Sequence, residues 1–431
     1  MRLWHCILVG ATLGLAGCPA SQAPSDSGVP DVRADRLFVS DGPDLDRGVA
    51  DRSAEASPDL ELPPRRVMVT SDIIVATVGG DVGLHVWWGQ DHVVVGGRWF
   101  RRITDSGQVL AEKMVPDWPN TIPYKVASMA AGAKGIAALY GDDNYNTYLT
   151  LVQPDGTFGA SAEQLPSRSG AVHGPVSVIA RPGGFAILTV WSDMQGPVVQ
   201  MQLADPDAKL IGSPVVVANH DAASATAAPD GRFSYVTIPF FGLQHGLMDP
   251  DPVAPKDTLS APLLSPPHNT HLGLCGWQFH ATTSTGVTWV AFGDLDTVGN
   301  YSYLAYNVEQ GGKALLPTAQ VFTTPGTKGM GRCVVGVATD DKQFLVVYGE
   351  EQPGPTYYQY HLFARIFDLD GTPIGPAQKL PLPFSYLLTL PECARGRLVW
   401  TGKDFVLFYF EQALNLGLGP MHMVRLSIQE P

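Results

Sequence analysis

Residues 136–143 read Ile136-Ala137-Ala138-Leu139-Tyr140-Gly141-Asp142-Asp143, an apolar strand that ends in an aromatic residue, a small residue and two acids. The same unit recurs along the chain after residue 83. Its other copies, one of them degenerate, are Val86-Trp87-Trp88-Gly89-Gln90-Asp91, Thr189-Val190-Trp191-Ser192-Asp193, Ile238-Pro239-Phe240-Phe241-Gly242, Val290-Ala291-Phe292-Gly293-Asp294, Val347-Tyr348-Gly349-Glu350-Glu351 and Phe408-Tyr409-Phe410-Glu411-Gln412. Seven copies of one unit indicate a repeat architecture.

The spacing of the copies indicates how many strands each unit holds. Their strands start near Leu84, Ile136, Phe185, Phe233, Val287, Phe344 and Phe405. Hairpin-turn signals follow the next strand in five units, at Asp105-Ser106-Gly107, Pro154-Asp155-Gly156, Asp205-Pro206-Asp207, Gln310-Gly311-Gly312 and Asp368-Leu369-Asp370-Gly371. About four short strands per period are typical of propeller blades. We predict an all-β fold, a seven-bladed β-propeller of four-stranded antiparallel blades, with each quoted strand second in its blade.

The two ends of the domain are expected to close the ring. The chain ends on Arg425-Leu426-Ser427-Ile428, which has the pattern of a third strand without a fourth, and Arg66-Val67-Met68-Val69-Thr70 supplies the missing strand. Closure removes sheet edges that would otherwise pair with other chains. A two-domain β-sandwich is the alternative.

One turn carries a resemblance to known propellers. Pro229-Asp230-Gly231-Arg232-Phe233 resembles the Pro-Asp-Gly turn of WD40-like and TolB-type propellers, although the Trp-Asp blade ends of true WD40 repeats are absent. The resemblance concerns residues 67–431 as architecture.

Residues 1–18 have the features of a lipoprotein signal peptide. Arg2 precedes the apolar run Ile7 to Leu15, and Leu15-Ala16-Gly17-Cys18 resembles the lipobox of bacterial lipoproteins. The resemblance implies that Cys18 becomes the acylated first residue and that the acyl chains anchor the protein. Pro19 stands where the inner-membrane retention signal would have Asp, which implies the outer membrane. A plain secretory signal and an N-terminal membrane helix are the alternatives.

Residues 19–64 form a separate segment. They contain ten acids, four arginines and many Pro, Ser and Ala residues, so their net charge is −6. Such a stretch buries too little apolar surface to offset its ordering entropy. We therefore predict a disordered acidic tether before a β-propeller at residues 65–431.

Charge and hydropathy limit the partners. The chain of 431 residues has a formal net charge of −13. Nucleic acid is excluded, because phosphate binding needs clustered Lys and Arg. No segment beyond the signal has 18 uncharged apolar residues, so the expected membrane contact is the lipid on Cys18. We also expect the protein to be a monomer.

Acids that follow second strands would lie in the loops between strands two and three, the face at which propellers usually bind partners. These acids are Asp91, Asp142, Asp143, Asp193, Asp294, Asp296, Glu350, Glu351 and Glu411. A ring of carboxylates suits calcium or the cationic groups of a partner. Solvated turn residues are the alternative, and Asp368 and Asp370 fit a hairpin turn better than a calcium loop.

Tyrosines cluster where the third strands open. They are Tyr145, Tyr148, Tyr301, Tyr303, Tyr357, Tyr358 and Tyr360. Rings beside amides and acids suit sugar binding, and packing between blades is the alternative.

Three cysteines occupy equivalent positions in the last three units. Cys275, Cys333 and Cys393 lie 12, 11 and 12 residues before the starts of their second strands. Outside the cytoplasm, two of the three would form a disulfide, and the sequence does not choose the pair. His268, His271 and His280 lie near Cys275, yet their spacing matches no known zinc site, so the metal question stays open and no cofactor is assigned.

These observations predict a lipid-anchored binding or scaffolding module at the outer membrane, on its periplasmic side or at the cell surface, with a protein or glycan partner. The chain is similar to uncharacterised propeller lipoproteins with acidic tethers in myxobacterial-type bacteria. The alternatives are a periplasmic accessory to outer-membrane assembly and a glycan-active propeller enzyme. The chain has no Gly-x-Ser-x-Gly elbow, phosphate loop or His-Glu-x-x-His motif, so catalysis is left unassigned.

Overall fold

A computed structural model describes residues 65–77, 84–96, 99–114, 126–141, 146–159, 162–166, 172–193, 196–218, 224–237, 244–251, 256–259, 279–293, 301–307, 309–310, 312–316, 320–321, 333–353, 358–382, 396–412 and 418–430. In these ranges the strands form seven antiparallel sheets that follow one another along the chain. Each sheet is one blade, and the prediction of a seven-bladed all-β propeller is confirmed.

The N-terminal strand β1 (Arg66–Ala76) belongs to the last blade. The first three blades are β2 (Leu84–Trp88), β3 (Asp91–Gly96), β4 (Trp99–Thr104) and β5 (Val109–Met114); β6 (Val126–Ala131), β7 (Ile136–Gly141), β8 (Thr147–Val152) and β9 (Glu163–Gln164); and β10 (Val172–Arg181), β11 (Gly184–Asp193), β12 (Gly196–Ala204) and β13 (Leu210–Ala218).

Blade five carries an additional short strand, which pairs with β20. Blades four to seven are β14 (Ser224–Ala227), β15 (Phe233–Thr237), β16 (Gln244–Asp249) and β17 (Lys256–Leu259); β18 (Phe279–Thr282), β19 (Val287–Gly293), β20 (Tyr301–Asn307), β21 (Lys313–Ala314) and β22 (Gln320–Val321); β23 (Cys333–Thr339), β24 (Gln343–Pro353), β25 (Tyr358–Asp368) and β26 (Gln378–Lys379); and β27 (Gly396–Trp400), β28 (Phe405–Gln412), β29 (Leu418–Gln429) and β1.

The first strand of each blade lies nearest the centre of the ring. First strands of neighbouring blades contact one another, as β2 does with β6, β6 with β10, β10 with β14, and β23 with both β18 and β27. The fourth strands therefore form the outer rim. No helix in the described part of the chain is long and apolar enough to cross a membrane.

The ring closes between its two ends, as the sequence predicted. Strand β1 pairs antiparallel with β29, with Val67 opposite Ile428 and Val69 opposite Leu426. A 2.7 Å contact between Oδ1 of Asp72 and Nδ1 of His422 adds a side-chain link. The last sheet thus contains one strand from the start of the domain and three from its end.

Alternating side chains on the second strands pack against both neighbouring blades. In β24, Phe344 and Val346 pack with Trp289 of blade five, whereas Leu345 and Val347 pack with blade seven. A strand buried on both faces is apolar throughout, which explains why these strands carried the repeat signal. We call each contact between neighbouring blades a seam.

The propeller has two faces, which differ in their connections. The turn face carries the turns between strands one and two and between strands three and four. The loop face carries the connections between strands two and three and between blades. Most described connections belong to the turn face, and many loop-face connections lie outside the described residues.

Polar contacts at or near the turn face bridge all seven seams in the described part of the chain. In ring order from the seam between blades one and two, they join Lys113 to Asp155, Lys134 to Asp207, Arg181 to the Pro250 carbonyl, Arg232 to Glu309, the Ser284 amide to Asp341, Arg65 to Gln343, and Arg425 to Asp105.

The sequence misassigned the strands of blade one. Leu84 begins the first strand, not the second, because β2 pairs only with β3, which is followed in the sheet by β4 and β5. Trp88 and Asp91 are opposite residues across the turn at Gly89, where φ is +65°. The second strands of the other six blades match the predicted starts to within one residue.

Candidate functional site

The loop-face ends of the second strands define the candidate site. Strand β7 ends at Gly141, directly before Asp142 and Asp143, and β19 ends at Gly293, directly before Asp294. These three acids and Asp296 lie outside the described residues. Asp193 ends β11, while Glu351 and Glu411 lie near the ends of β24 and β28. Among the described acids, Asp193, Glu350, Glu351 and Glu411 therefore belong to loop-face ends of their blades, and Asp91 does not.

Asp91 lies on the opposite face, which corrects its assignment to the acidic ring. It begins β3 at the turn between strands one and two. Its buried carboxylate accepts a hydrogen bond of 2.6 Å from Nε of Arg102, whose guanidinium lies 4.9 Å from the centre of the Trp88 ring. The ion pair neutralises Asp91 inside the seam between blades one and two, so this carboxylate holds the fold together.

Glu350 lies at the loop-face end of blade six but is buried. Its residue is 6% exposed and stands opposite His361 of β25. Tyr348 and Phe363 form the next pair on the same side, with ring centres 5.9 Å apart. Burial and the positive charge of Lys379 lower the pKa of His361, in that order of importance. The described part of this loop-face end is thus a carboxylate and an imidazole above an aromatic stack.

Three blades have a stack of aromatic rings between their second and third strands, near the loop-face end. The second-strand tyrosines Tyr140, Tyr348 and Tyr409 stack on Tyr148, Phe363 and His422 of the third strands. Tyr303 is buried, and its hydroxyl donates a 2.9 Å hydrogen bond to the Gly371 carbonyl. The structure supports packing between blades for Tyr303, because Gly371 belongs to blade six. Tyr148 is half-buried and stacks within its own blade. Tyr145 and Tyr357 lie outside the described residues, as do the side chains of Tyr301, Tyr358 and Tyr360.

The proposed disulfide remains a prediction. Cys333 is the first residue of β23, whereas Cys275 and Cys393 lie outside the described residues. His268 and His271 also lie outside them. Within the described ranges, no group of three or more His, Cys, Asp or Glu side chains is arranged to hold a metal ion.

His280 belongs to a buried polar network in the seam between blades four and five. Its Nε2 lies 3.3 Å from Oγ1 of Thr226 and 3.2 Å from the Ser234 carbonyl. Oγ of Ser234 lies 2.8 Å from Nε2 of His245 and 2.7 Å from Oγ1 of Thr282. Burial lowers the pKa of His280 to about 4 and holds that of His245 well below its ordinary value.

A second pair of histidines, of which His92 is buried and His85 half-buried, lies in the seam between blades seven and one. Nε2 of His85 lies 2.9 Å from Nδ1 of His92, and both rings pack against Phe408. Burial and the charge of Arg425 lower the pKa of His92 to about 3. Burial also lowers the pKa of Arg397, on the inner strand β27, to about 10.

Sequence analysis missed both pairs. A signal was available at Ser234, which stands between Phe233 and Tyr235, because a polar residue inside a buried strand needs a partner. Ser234 has partners in both blades, His245 of its own blade and Thr282 of the next. A search restricted to one repeat unit therefore finds only part of the network.

Comparison with known proteins identifies the fold and no family. No protein-family model matches the chain, and no curated protein matches it in sequence. The crystal structure of RRP9 WD40 repeats is similar over 84% of this chain and 100% of that one, with 11% identity and a TM-score of 0.52.

Two further solved structures have the same level of identity. The structure of U3-55K covers 82% of this chain and 98% of its own, with 11% identity and a TM-score of 0.51. The match to the WD40 domain of SCAP from fission yeast covers 84% of this chain and 98% of that domain, with 10% identity and a TM-score of 0.43. The likeness to the first two supports a WD40-like propeller architecture.

Proposed function

We propose that the protein is a lipid-anchored β-propeller that binds or scaffolds a partner at the outer membrane through its loop face. The observation that carries the proposal is where the folded domain begins. Nε of Arg65 lies 2.8 Å from Oε2 of Glu430, and its Nη1 donates a 2.9 Å hydrogen bond to Gln343. The proposed tether therefore joins the domain on the turn face, opposite the loop-face acids.

This arrangement suits a tethered binding module. Residues 19–64 carry a net charge of −6, and a random coil of 46 residues spans roughly 35 to 40 Å. The turn face is occupied by contacts between blades, whereas Asp193 ends β11 at the loop face. Asp142, Asp143 and Asp294 lie outside the described residues and follow the ends of β7 and β19 in the sequence. A protein or glycan with cationic or hydroxyl groups, or calcium, is the chemistry that carboxylates there would bind.

The anchor is tested by replacing Cys18. The Cys18→Ser variant is expected to lose labelling by radioactive palmitate and to move from the membrane fraction to the soluble fraction. Cys333→Ser is the matched control and should remain labelled and membrane-bound. Undiminished labelling and membrane retention of Cys18→Ser would contradict the proposed anchor.

Protease treatment of intact cells distinguishes surface display from the periplasmic alternative. A surface-displayed protein is degraded in intact cells, and a periplasmic one is degraded only after the outer membrane is permeabilised. A periplasmic protein of the same cells serves as the control for membrane integrity. Resistance in intact cells would exclude surface display and favour the accessory role.

The loop face is tested with calcium alone as the probe. Calorimetric titration of the full chain with calcium chloride is expected to give binding that Asp142→Asn and Asp143→Asn weaken together. Asp155→Asn is the control, because this acid lies on the turn face and accepts a 2.8 Å contact from Lys113. Absence of heat with the unaltered chain would restrict the proposal to a protein or glycan partner.

A further inference from the structure

The seam between blades four and five combines aliphatic and polar side chains. Opposite residues on paired strands point to the same side, and the pairs Ser234–Leu247 and Val236–His245 of blade four face blade five. On the other side of the seam, His280 and Thr282 of β18 contact blade four. All of these side chains are buried.

Hydrogen bonds run through the seam from one blade to the other. The hydroxyl of Thr288 lies 2.9 Å from that of Thr282, which in turn lies 2.7 Å from that of Ser234. Ser234 continues the chain to His245, 2.8 Å away. On the inner side of the ring, His280 contacts the exposed Thr226 of the first strand. The two blades thus share one buried network.

The two imidazoles of this network belong to different blades. His245 lies on β16 of blade four and His280 on β18 of blade five, with ring centres 5.8 Å apart. Within the described strands, the Tyr306 phenol is a further titratable group beside them, with its ring centre 5.3 Å from that of His245. Burial raises the pKa of Tyr306, so the phenol stays neutral. Protons on both imidazoles would repel across the seam.

The other pair of histidines is arranged differently. His85 and His92 lie on neighbouring strands of blade one, so repulsion between them acts within one blade. The charged groups near this pair come from other elements: Arg397 of β27, Arg425 of β29 and Asp105, whose Oδ1 is 3.6 Å from Nε2 of His92. Burial, the neighbouring His92 and Arg397 lower the pKa of His85, and burial and Arg425 lower that of His92. In this seam a proton would therefore be opposed by arginines of blade seven, whereas in the seam between blades four and five the two imidazoles oppose each other.

We propose that the seam between blades four and five is an acid-sensitive joint, at which protonation of His245 and His280, which belong to different blades, loosens the ring. At its turn-face end the joint is held by Arg232, which contacts Glu309 of blade five and Asp230 of its own blade. Opening would expose the facing sides of these two blades. The inference concerns the propeller and does not depend on the anchor.

Hydrogen exchange followed by mass spectrometry tests the joint in the full chain. Opening constants, corrected for intrinsic exchange, are measured for amides of β15 and β18 between pH 7.5 and 4.5, with β7 and β8 of blade two as the reference. Below about pH 6.5, we expect the opening constants of β15 and β18 to rise about tenfold per pH unit for each proton taken up. The opening constants of β7 and β8 in blade two should rise only at lower pH. Uniform exchange in all blades would overturn the proposal.

Two matched variants locate the effect. His280→Gln keeps a hydrogen-bonding side chain without a titrating imidazole, and it should reduce the pH dependence at β15 by about tenfold per pH unit. His92→Gln removes a buried imidazole from the other pair and should leave the pH dependence at β15 unchanged. A wild-type pH dependence in His280→Gln would also overturn the proposal. If His280→Gln fails to fold, the comparison of blades in the unaltered chain still decides.

Discussion

Arg425 contacts two turns of the ring at once. Its Nη1 donates a 2.9 Å hydrogen bond to Asp404 in blade seven, and its Nη2 contacts Asp105 of blade one. The guanidinium is mostly buried, with 14% of its side chain exposed. Arg425 therefore links blades seven and one at the seam where the ring closes, close to the pair of His85 and His92.

Replacing this guanidinium should be costly. Arg425→Met leaves Asp404 and Asp105 without their cation, and we expect the free energy of unfolding to fall by about 2 to 3 kcal/mol. Lys134→Met is the control, because Lys134 and Asp207 are half exposed, and such a pair contributes less than about 1 kcal/mol. Urea denaturation measures both variants. Equal losses of unfolding free energy in the two variants would show that the buried ion pairs of Arg425 contribute no more than the exposed pair of Lys134.

Single residues show where sequence analysis succeeded and failed. Tyr303 was assigned packing as one of two alternatives, and its burial supports that alternative. Asp91 was assigned to the wrong face, because an aromatic residue, a glycine and an acid follow the end of a first strand as readily as a second. Local pattern specifies a turn but not the order of strands around it. Buried partners in the next blade, such as His280 for Ser234, have no local signature.

Strand β23 approaches blade seven more closely than any side chain at Gly336 would allow. A Cβ built there would lie 2.5 Å from Cβ of Leu398 and 2.7 Å from its backbone nitrogen. The register of β23 against β24 also shifts between Val334 and Gly336. This glycine permits two inner strands to pack backbone against backbone.

Gly336→Ala should therefore destabilise the propeller by about 3 kcal/mol, because the inner strands must separate. Gly89→Ala is the control: its Cβ would meet no atom within 4 Å, so only the positive φ opposes it, at about 1 kcal/mol. Thermal unfolding of both variants gives the comparison. Equal melting temperatures would contradict the close approach.

Strand β1 is expected to be indispensable and the segment before it dispensable. Removal of residues 1–64 should leave the melting temperature of the domain unchanged. Removal of residues 1–76 deletes β1, exposes the edge of β29 and should yield aggregated or unfolded protein. Circular dichroism and size-exclusion chromatography distinguish these outcomes, and a stable monomer lacking β1 would contradict ring closure as the source of stability.

At the level of elements, the sequence carried most of the fold. Six of seven second strands and the closing strand lie where apolar runs and turn signals placed them, because strands buried on both faces must be apolar. The pattern failed in blade one, where β2 is also rich in aromatic residues. The assignment of each acid to a face depends on the order of the strands, so the error of order in blade one placed Asp91 on the wrong face.

The whole molecule should lose stability in acid. Four histidines, His85, His92, His245 and His280, have lowered pKa values, chiefly through burial. The unfolded chain takes up their protons near pH 6.5, whereas the folded state resists, so stability is full above about pH 7 and falls as the pH drops towards 4. For His280 alone, with a folded pKa of about 4, the loss by pH 4 is about 3 kcal/mol.

Denaturant unfolding at several pH values checks this expectation. The free energy of unfolding should decline steadily between pH 6.5 and 4, and His280→Gln should flatten the decline. Lys134→Met supplies a control that alters a surface charge without removing a histidine. A free energy that stays level down to pH 4 would show that the four imidazoles take up protons without penalty in the folded state.

The position of Arg65 beside Glu430 also has a mechanical consequence. Residue 65 directly precedes β1, which is joined to β29 by nine residue pairs. A pull on residue 65 away from the turn face acts along the strand, so these pairs bear the load together in shear and do not peel apart one by one. Tension on the N-terminal segment is thus carried mainly by the closing strand, through the longest strand pairing of the last blade.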